Sequence, residues 1–476
     1  MRHGSLLILL AMIATSASAQ VRVQRQLQQI QRETYAQIDN NVPADRRALF
    51  DYGGFATFNF FAVDDVGQNT NFTTQTDLNG YLRASFDGAH EFFVRGRTSY
   101  RDQDVQGASR MFRGDHWVQP RLDRGTYQFD LQRYLAAYEG RITPNNFIFR
   151  GGRDFYHLAN GLTLSEELDG GTFTFVFPPL TLDLMVGMTT DNVDDIDVSR
   201  PNFSRNGDTD RLFASGRVTW QPTPRHRPFV YGLVQRDLNP DVTLVSPGGL
   251  TTQFDYNSWY VGWGSAGSFT DRLLYECEFV YEGGSGLSSS FNPTTFAAIA
   301  QTKETIQAFA MDMRVNYLMN DANLSRLSAE VLLATGDKDR LHPTTTLGGN
   351  APGTKDNSFN GFGFVNTGVA FNPRTANLIM VRLGATTFPL SGSELFRRLQ
   401  LGVNVFFYSK YTQDSAIAEA SNNEAFLGWE PDVFANWQVT SDFSLAVRYG
   451  VFFPSSAIAS NNAPRHFLFT GVTLAF

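Results

Sequence analysis

The last nine residues, LFTGVTLAF (residues 468–476), place Leu468, Thr470, Val472, Leu474 and Phe476 in a ladder that repeats every second position. A strand of an outer-membrane β-barrel needs this pattern, because alternate side chains face lipid and a wet lumen. The residues between them, from Phe469 to Ala475, are small, polar or mixed, as a lumen face allows. A cytosolic edge strand can show the same alternation, so the rest of the chain has to decide.

The first residues have the layout of an export signal. Arg2 and His3 precede a short apolar run at residues 6–13, and the small residues at 17–19 suit a cleavage site. We therefore expect residues 1–19 to be a removed signal peptide rather than a buried N-terminal helix. The apolar run is too short to span a bilayer as a helix. No later run of 18 apolar residues exists, which leaves a soluble exported protein or an outer-membrane barrel.

The composition of the 476 residues favours the barrel. Phenylalanine occurs 42 times and aromatic residues make 14% of the chain, whereas charged residues make only 18%. Aromatic side chains coat the lipid band and the interfacial girdles of such barrels. The net charge of −8 argues against a nucleic-acid partner, which requires a basic surface. The single cysteine, Cys277, excludes an internal disulfide.

The chain divides into three parts. After the signal peptide, residues 20–49 show apolar residues at loose helical spacing, which predicts a short periplasmic helical extension and linker that could contact a periplasmic partner. Residues 50–476 predict the barrel, because segments of 9–11 residues alternate with period two, as tilted membrane strands do. The clearest segments are 78–86, 92–100, 180–188, 212–220, 309–317, 399–407 and 443–451.

The connections between these segments alternate in length. Short links such as Asp87-Gly88 and Pro178-Pro179 contain turn residues, whereas the stretches 102–124, 189–209, 238–252, 283–302, 336–374, 411–425 and 454–464 are long and polar. Short periplasmic turns and long extracellular loops are typical of outer-membrane barrels. Nineteen segments resemble strands, but both ends lie in the periplasm only if the number is even. Assigning the glycine-interrupted segment Phe362–Phe371 to a loop predicts about 18 strands (16–18).

Three passages resemble the alginate-export family of outer-membrane proteins. Residues 150–173 (RGGRDF…NG…DGGTF) resemble the family's "GRQ…G…DG" passage, and residues 334–337 (ATGD) resemble its "SGD" segment. Residues 427–453 (LGWEPD…YGVFF) are similar to its "GHELD…GYGxF" passage. The resemblance covers roughly residues 50–476 and implies an 18-stranded barrel channel. Asp154 and Trp429 replace the family's Gln and His, so alginate is not implied as the solute.

Placing the apolar ladder against lipid assigns the alternate residues to the pore. The inward arginines are then Arg83, Arg95, Arg97, Arg101, Arg150, Arg211, Arg217, Arg236, Arg314, Arg326, Arg382, Arg398 and Arg448. The inward acids are Asp77, Asp183, Glu276, Glu278, Asp312, Glu330, Glu430 and Asp432. An excess of arginine favours anions, although such residues also pair across strands and stiffen the wall. Glu430, Asp432 and Arg448 lie close together, which indicates a wall-stabilising ion pair rather than an acid–base site.

The sequence predicts a passive, porin-like channel of a Gram-negative outer membrane for hydrophilic, anionic solutes such as acidic saccharides. We find no motif of a known enzyme class, and no cofactor or metal is expected. The acidic stretch 191–197 lacks the ligand spacing of a calcium loop.

Two alternative functions remain. A barrel-embedded hydrolase needs a nucleophile beside His116 or His157, for which the sequence offers no evident partner. A structural or adhesive barrel would have a plugged lumen. Arg133 lies in phase with Leu131 and Leu135, which would point it towards lipid at a high cost, so either a bulge shifts the register there or the segment lies nearer an interface.

Overall fold

The structure of the protein is a computed structural model. It describes residues 48–104, 114–190, 210–239, 243–245, 251–292, 295, 297–340, 349–417 and 419–476. The predicted signal peptide, nearly all of the predicted helical extension and the acidic stretch 191–197 lie outside the described residues. The first strand begins at Ala48, two residues before the predicted start of the barrel.

The described residues form twenty strands and one helix. The strands are β1 Ala48–Asp64, β2 Thr70–Phe86, β3 His90–Asp104, β4 Gly114–Asp130, β5 Asn146–His157, β6 Ser165–Phe177, β7 Leu180–Thr189, β8 Arg211–Trp220, β9 His226–Asp237, β10 Thr243–Val245, β11 Thr251–Gln253, β12 Tyr256–Ser268, β13 Leu273–Leu287, β14 Lys303–Leu318, β15 Arg326–Ala334, β16 Leu378–Thr387, β17 Leu399–Ser409, β18 Phe426–Gln438, β19 Phe443–Pro454 and β20 Arg465–Ala475. The helix, α1, spans Leu131–Glu139. No helix among these residues is long and apolar enough to cross a membrane.

Eighteen of the strands close into one antiparallel barrel, and β10 and β11 form a separate hairpin. Each barrel strand pairs with its neighbours along the chain, and β20 returns to pair with β1, with Phe55 opposite Ala475. At the seam the backbone N–H of Gly54 donates to the carbonyl of Phe476 at 2.9 Å. Closure leaves no unpaired strand edge, which a bilayer requires. The predicted fold and the role of the last strand are confirmed.

The two faces of the wall carry different chemistry. On β14 the odd-numbered side chains from Phe309 to Tyr317 point outward and are partly or largely exposed, whereas the even-numbered Ile306, Ala308, Ala310 and Asp312 are buried inside. Large apolar side chains are exposed all round the barrel, which forms the belt that lipid covers. Trp263 and Phe279 stack on this outer face at 5.8 Å between ring centroids. The predicted phase is therefore confirmed along β14.

One rim carries the short turns and Phe476, and by the layout of such barrels it is the periplasmic rim. The Asp87-Gly88 turn has positive φ at both residues, 54° and 75°, which is the geometry of a tight hairpin. The predicted loop 102–124 is mostly wrong, because β3 runs to Asp104 and β4 starts at Gly114. The other rim carries the long connections.

Arg133 does not face lipid, because residues 131–139 form a helix in the connection between β4 and β5 and not part of a strand. Asp130 caps α1 by accepting a hydrogen bond from the Arg133 N–H at 3.1 Å, and Gly140 ends the helix at a φ of 63°. The Arg133 guanidinium donates to the Gly88 carbonyl at 3.2 Å. Arg133 therefore joins two periplasmic connections and bears no cost of lipid exposure.

Candidate functional site: the barrel lumen

Two extracellular connections fold into the lumen. The short inner loop (residues 158–164) joins β5 to β6, and the long inner loop (residues 349–377) is part of the connection from β15 to β16. They pair with each other through a parallel bridge between Leu164 and Phe362. The predicted assignment of Phe362–Phe371 to a loop rather than a strand is confirmed. Their apolar side chains form a core with the inner wall, in which Phe362 packs against Phe213 of β8 at 5.3 Å between ring centroids.

Glu430 of β18 holds the tip of the long inner loop. Its carboxylate accepts three successive backbone N–H groups, from Val369 at 2.6 Å, Ala370 at 2.7 Å and Phe371 at 2.8 Å. Tyr408 donates its hydroxyl to the carbonyl of Thr367 at 2.8 Å. Hydrogen bonds to an ionised acceptor are stronger than neutral ones, so this contact fixes the backbone of the loop tip.

Three further carboxylates of the wall bind the inner loops. Glu278 accepts the backbone N–H of Asn160 at 2.9 Å, and Asp312 accepts its side-chain amide at 3.0 Å. Glu282, which the sequence analysis missed, accepts the backbone N–H of Asn360 at 2.8 Å. Glu278, Glu282, Asp312 and Glu430 therefore anchor the loops and are occupied by hydrogen bonds, which removes them from the passage.

The outer end of the long inner loop is anchored at β14. Asp356 forms a bridge with Ile306, and its carboxylate forms an ion pair with the buried Arg340. Burial raises the pKa of Asp356, against the lowering effect of the Arg340 guanidinium. From this anchor the loop crosses the lumen until Val369 and Ala370 pack against a cluster of β1 and β20 that includes Phe61 and Phe469. These loop contacts are made to β1, β8, β13, β14, β17, β18 and β20, which are strands other than β2–β4.

Six of the arginines of β2–β5 form what we call the basic wall. Its members are Arg83, Arg95, Arg97, Arg101, Arg124 and Arg150. Arg95 and Arg97 share the carboxylate of Asp123, and Arg124 and Arg150 share that of Asp154, at 3.3 and 2.6 Å. Arg83 binds Glu91 at 2.6 Å, and Arg101 donates to the Gln75 amide oxygen at 3.1 Å. Asp77 and Glu167 are further carboxylates near this wall.

In several of these pairs the guanidinium is more exposed than its carboxylate. Arg97 is 19% exposed and Asp123 is 7% exposed, and Arg150 is 28% exposed against 12% for Asp154. Across the lumen Arg314, at 24%, covers Asp312 and Glu330, which are fully buried, and Arg382 binds the same Glu330. The order is reversed in three pairs, Arg83 with Glu91, Arg124 with Asp154 and Arg314 with Glu276, in which the carboxylate is the more exposed group. Arg95 and Asp123 are equally buried. The positive groups presented to the passage in front of buried carboxylates are therefore those of Arg97, Arg150, Arg314 and Arg382.

The remaining predicted pore residues do not all face the lumen. Arg217 binds Asp183 at 2.9 Å, as cross-strand pairing predicts. Arg448 makes no ion pair with Glu430 or Asp432 within the described part of the chain, so the predicted ion pair is wrong and Glu430 binds the loop instead. Arg398 is exposed in the periplasmic connection before β17. Arg236 is exposed in phase with the outward Val230 and Val234, so its predicted inward position is wrong.

The predicted excess of 13 inward arginines over 8 acids is also wrong. The phase of β4 changes at two register shifts opposite Arg95–Ser99, which brings Asp123 and Arg124 to the same side. Asp123, Asp154, Glu91 and Glu282 join the inward acids. A strict period of two cannot reveal a bulge, so Asp123 and Arg124 could not be placed from the sequence. Glu91, Asp154 and Glu282 are in phase with predicted inward residues of their own strands and could have been found by the same rule.

A serine–histidine pair is present at the extracellular end of β5 and β6. The Nδ1 atom of His157 lies 2.7 Å from the Oγ atom of Ser165, directly across the two strands. The expectation that His157 has no nucleophile partner is therefore wrong. Ser165 is buried beneath the inner loops, and its backbone N–H donates to the Phe362 carbonyl at 3.0 Å. The other candidate, His116, lies on β4 and not in a loop.

Gly363 allows the two inner loops to approach each other. A Cβ atom at this position would overlap the carbonyl oxygen of Gly161. We expect Gly363→Ala to separate the loops locally, at a cost of about 1–3 kcal/mol, and to increase amide hydrogen exchange in residues 158–164 and 361–365. Gly392→Ala is the matched control, because a Cβ there meets open space. Equal exchange in both variants would contradict the role assigned to Gly363.

The chain matches no family model and no curated protein. Its fold is similar to solved outer-membrane proteins. Pseudomonas aeruginosa OccK5 (OpdH) has a TM-score of 0.54 and 10% identity, over 91% of this chain and 100% of that chain. Acinetobacter baumannii OccAB1 has a TM-score of 0.53 and 10% identity, over 91% of this chain and 97% of that chain. P. aeruginosa OpdK, solved with vanillate, has a TM-score of 0.51 and 9% identity, over 90% of this chain and 98% of that chain.

These neighbours are outer-membrane channels of the OccK and OprD type. At such low identities they show the fold alone. Together with the closed barrel and its apolar outer belt, they confirm the broad prediction of a β-barrel with the fold of outer-membrane channels, located in the outer membrane. The resemblance to the alginate-export family stays a prediction.

Proposed function

We propose that the protein is a passive outer-membrane channel for small hydrophilic anions, with carboxylates as the main solute class. The observation that carries the anion preference is the orientation of the lumen ion pairs. Arg97, Arg150 and Arg314 lie in front of their carboxylates as seen from the passage. The guanidinium fork binds carboxylates through two parallel hydrogen bonds, and a wall of such groups raises the local concentration of anions.

Small solutes suit this lumen better than a polymer. The two inner loops cross it and fill part of it with apolar side chains such as Phe362 and Phe371. An acidic saccharide can pass only as a short or monomeric form. The neighbour OpdK was solved with vanillate, which is itself a small carboxylate, and this supports the solute class without assigning vanillate to the present chain.

We also propose that the channel is not an enzyme. The Ser165 hydroxyl is buried beneath the inner loops, so a substrate would have to displace them to reach it. The hydrogen bond between Ser165 and His157 closes the β5–β6 hairpin where the short inner loop leaves the wall. This contact therefore supports a structural role for the pair rather than nucleophilic catalysis.

Planar-bilayer recording and vesicle uptake test this function. We expect an open channel that prefers chloride to potassium in a salt gradient. Uptake should fall in the order benzoate, benzyl alcohol, benzylammonium, three solutes of similar size and different charge. Glucuronate and an oligouronate added as blockers distinguish a small acid from an acidic polymer. Absence of conductance, or a preference for potassium, would overturn the proposal.

A further inference from the structure

Lysine is rare in this chain and confined to one region. The sequence contains four lysines and thirty-five arginines, and all four lysines lie between residues 303 and 410. Lys303 begins β14, Lys338 follows β15, Lys355 lies in the long inner loop and Lys410 follows β17. All four positions are at the extracellular rim of neighbouring strands. Lysine thus occurs only in this part of the extracellular rim, beside arginines such as Arg340, whereas the cationic side chains of the lumen wall are arginines.

Lys303 and Lys355 lie at the boundary between the lipid belt and the polar rim. Along the outward face of β14, Lys303, Thr305 and Gln307 are exposed and polar, and the next outward residue is Phe309. The Nζ atom of Lys355 donates to the Gln307 side-chain oxygen at 3.1 Å and has no carboxylate partner among the described residues. Lys303 differs, because Asp255 neutralises it at 3.0 Å.

A cleft of about 450 Å³ lies at this boundary. Its membrane side is formed by the aromatic side chains of Tyr281, Phe309 and Tyr411, and its polar side includes Gln307, Lys338 and Asn357. No ion pair holds Lys338 within the described residues. A cleft with an aromatic lower edge, a cationic upper edge and an outward opening fits an amphipathic molecule of the outer leaflet.

The nearby acids leave the lysines available. Asp337 accepts the backbone and side-chain N–H groups of Asn357 at 2.7 and 2.9 Å and the Asp339 N–H at 2.8 Å. Its oxygen atoms are therefore occupied by hydrogen bonds from Asn357 and the Asp339 backbone. Asp339 is exposed at the edge of the cleft and is the carboxylate that would oppose an anionic ligand.

We propose that this cleft binds the phosphorylated sugar headgroup of an outer-leaflet glycolipid, with Lys338 and Lys355 as the phosphate ligands. Lysine is a compact point charge that binds phosphate from several directions, and a lysine beside an anionic lipid surface strengthens binding about fivefold. Tyr281 and Phe309 would contact the first carbons of the acyl chains. The site lies outside the lumen and does not depend on the proposed channel function.

Native mass spectrometry of the purified full-length protein tests the site, with rough lipopolysaccharide as the probe. We expect wild type to retain one molecule and the double variant Lys338→Gln/Lys355→Gln to retain about 20-fold less at the same probe concentration. Lys303→Gln is the matched control and should retain the probe, because its charge is already neutralised. Asp339→Asn should increase retention.

Two companion probes identify the ligand chemistry. Lipopolysaccharide with its phosphates removed enzymatically should bind wild type as weakly as the double variant binds the intact probe. Phosphatidylglycerol should compete poorly, because it lacks the sugar that fills the cleft. Equal retention by wild type and the double variant, equal loss in Lys303→Gln, or equal binding of phosphatidylglycerol would each overturn the proposal. Circular dichroism and heat-modifiable migration show whether each variant is folded.

Discussion

Replacing Glu430 with alanine should release the tip of the long inner loop from the wall. The substitution leaves the N–H groups of Val369, Ala370 and Phe371 without their acceptor. Hydrogen bonds to a charged group contribute about 1.5–3 kcal/mol each. Even at the low end, the exchange of these three amides should increase by a factor on the order of 10³. Hydrogen-exchange mass spectrometry of peptides covering residues 366–374 measures this effect.

The same variant should change conduction. The loop tip crosses the lumen from Tyr408 to the cluster around Phe61, so its release widens the passage and lets it fluctuate. We expect a higher and noisier single-channel conductance in Glu430→Ala. The closed barrel itself should persist, because β18 keeps its backbone pairing with β17 and β19.

Glu276→Ala separates the loop effect from the charge effect. Glu276 is also a lumen carboxylate, but it is half-exposed and has only a distant ion pair, 3.9 Å from Arg314. Both variants remove one negative charge from the pore, and only Glu430→Ala removes a loop anchor. If the two variants gave the same conductance and exchange, the anchoring role of Glu430 would be wrong.

The outer face of the barrel was predictable from the sequence because lipid imposes a simple rule. Outward side chains in the bilayer are predominantly apolar, and a strand repeats every two residues, so β14 or β20 can be identified without knowing its neighbours. The turns were equally predictable from the sequence, since the residue types of Asp87-Gly88 alone indicate a tight hairpin. These local signals were enough to predict 18 strands.

The interior was less predictable because its contacts join residues far apart in the chain. Glu430 binds three backbone N–H groups about sixty residues away, and a backbone donor leaves no mark on residue type. The glycines of the long inner loop were the available signal. They excluded a strand, and Gly363 in the structure allows close approach to the short inner loop.

Removing the two exposed arginines of the basic wall should reduce anion preference without unfolding the barrel. In Arg97→Gln/Arg150→Gln, Asp123 keeps Arg95 and Asp154 keeps Arg124, because each carboxylate is shared by two arginines. No buried charge is left unpaired, so the large penalty for breaking a buried ion pair does not apply. The double variant therefore tests the charge of the passage rather than its stability.

The expected change in the anion preference of this double variant is large. A unit charge within a few ångströms of a solute changes its energy by about 1 kcal/mol even in water. Losing two such charges should lower the chloride-to-potassium permeability ratio and the uptake of benzoate about tenfold. Uptake of benzyl alcohol should stay constant, because a neutral solute does not sense the missing charge. Arg225→Gln is the control, since this exposed arginine pairs with Asp271 at the periplasmic rim. A parallel fall in benzyl alcohol uptake would show that the passage had narrowed and that charge was not the cause.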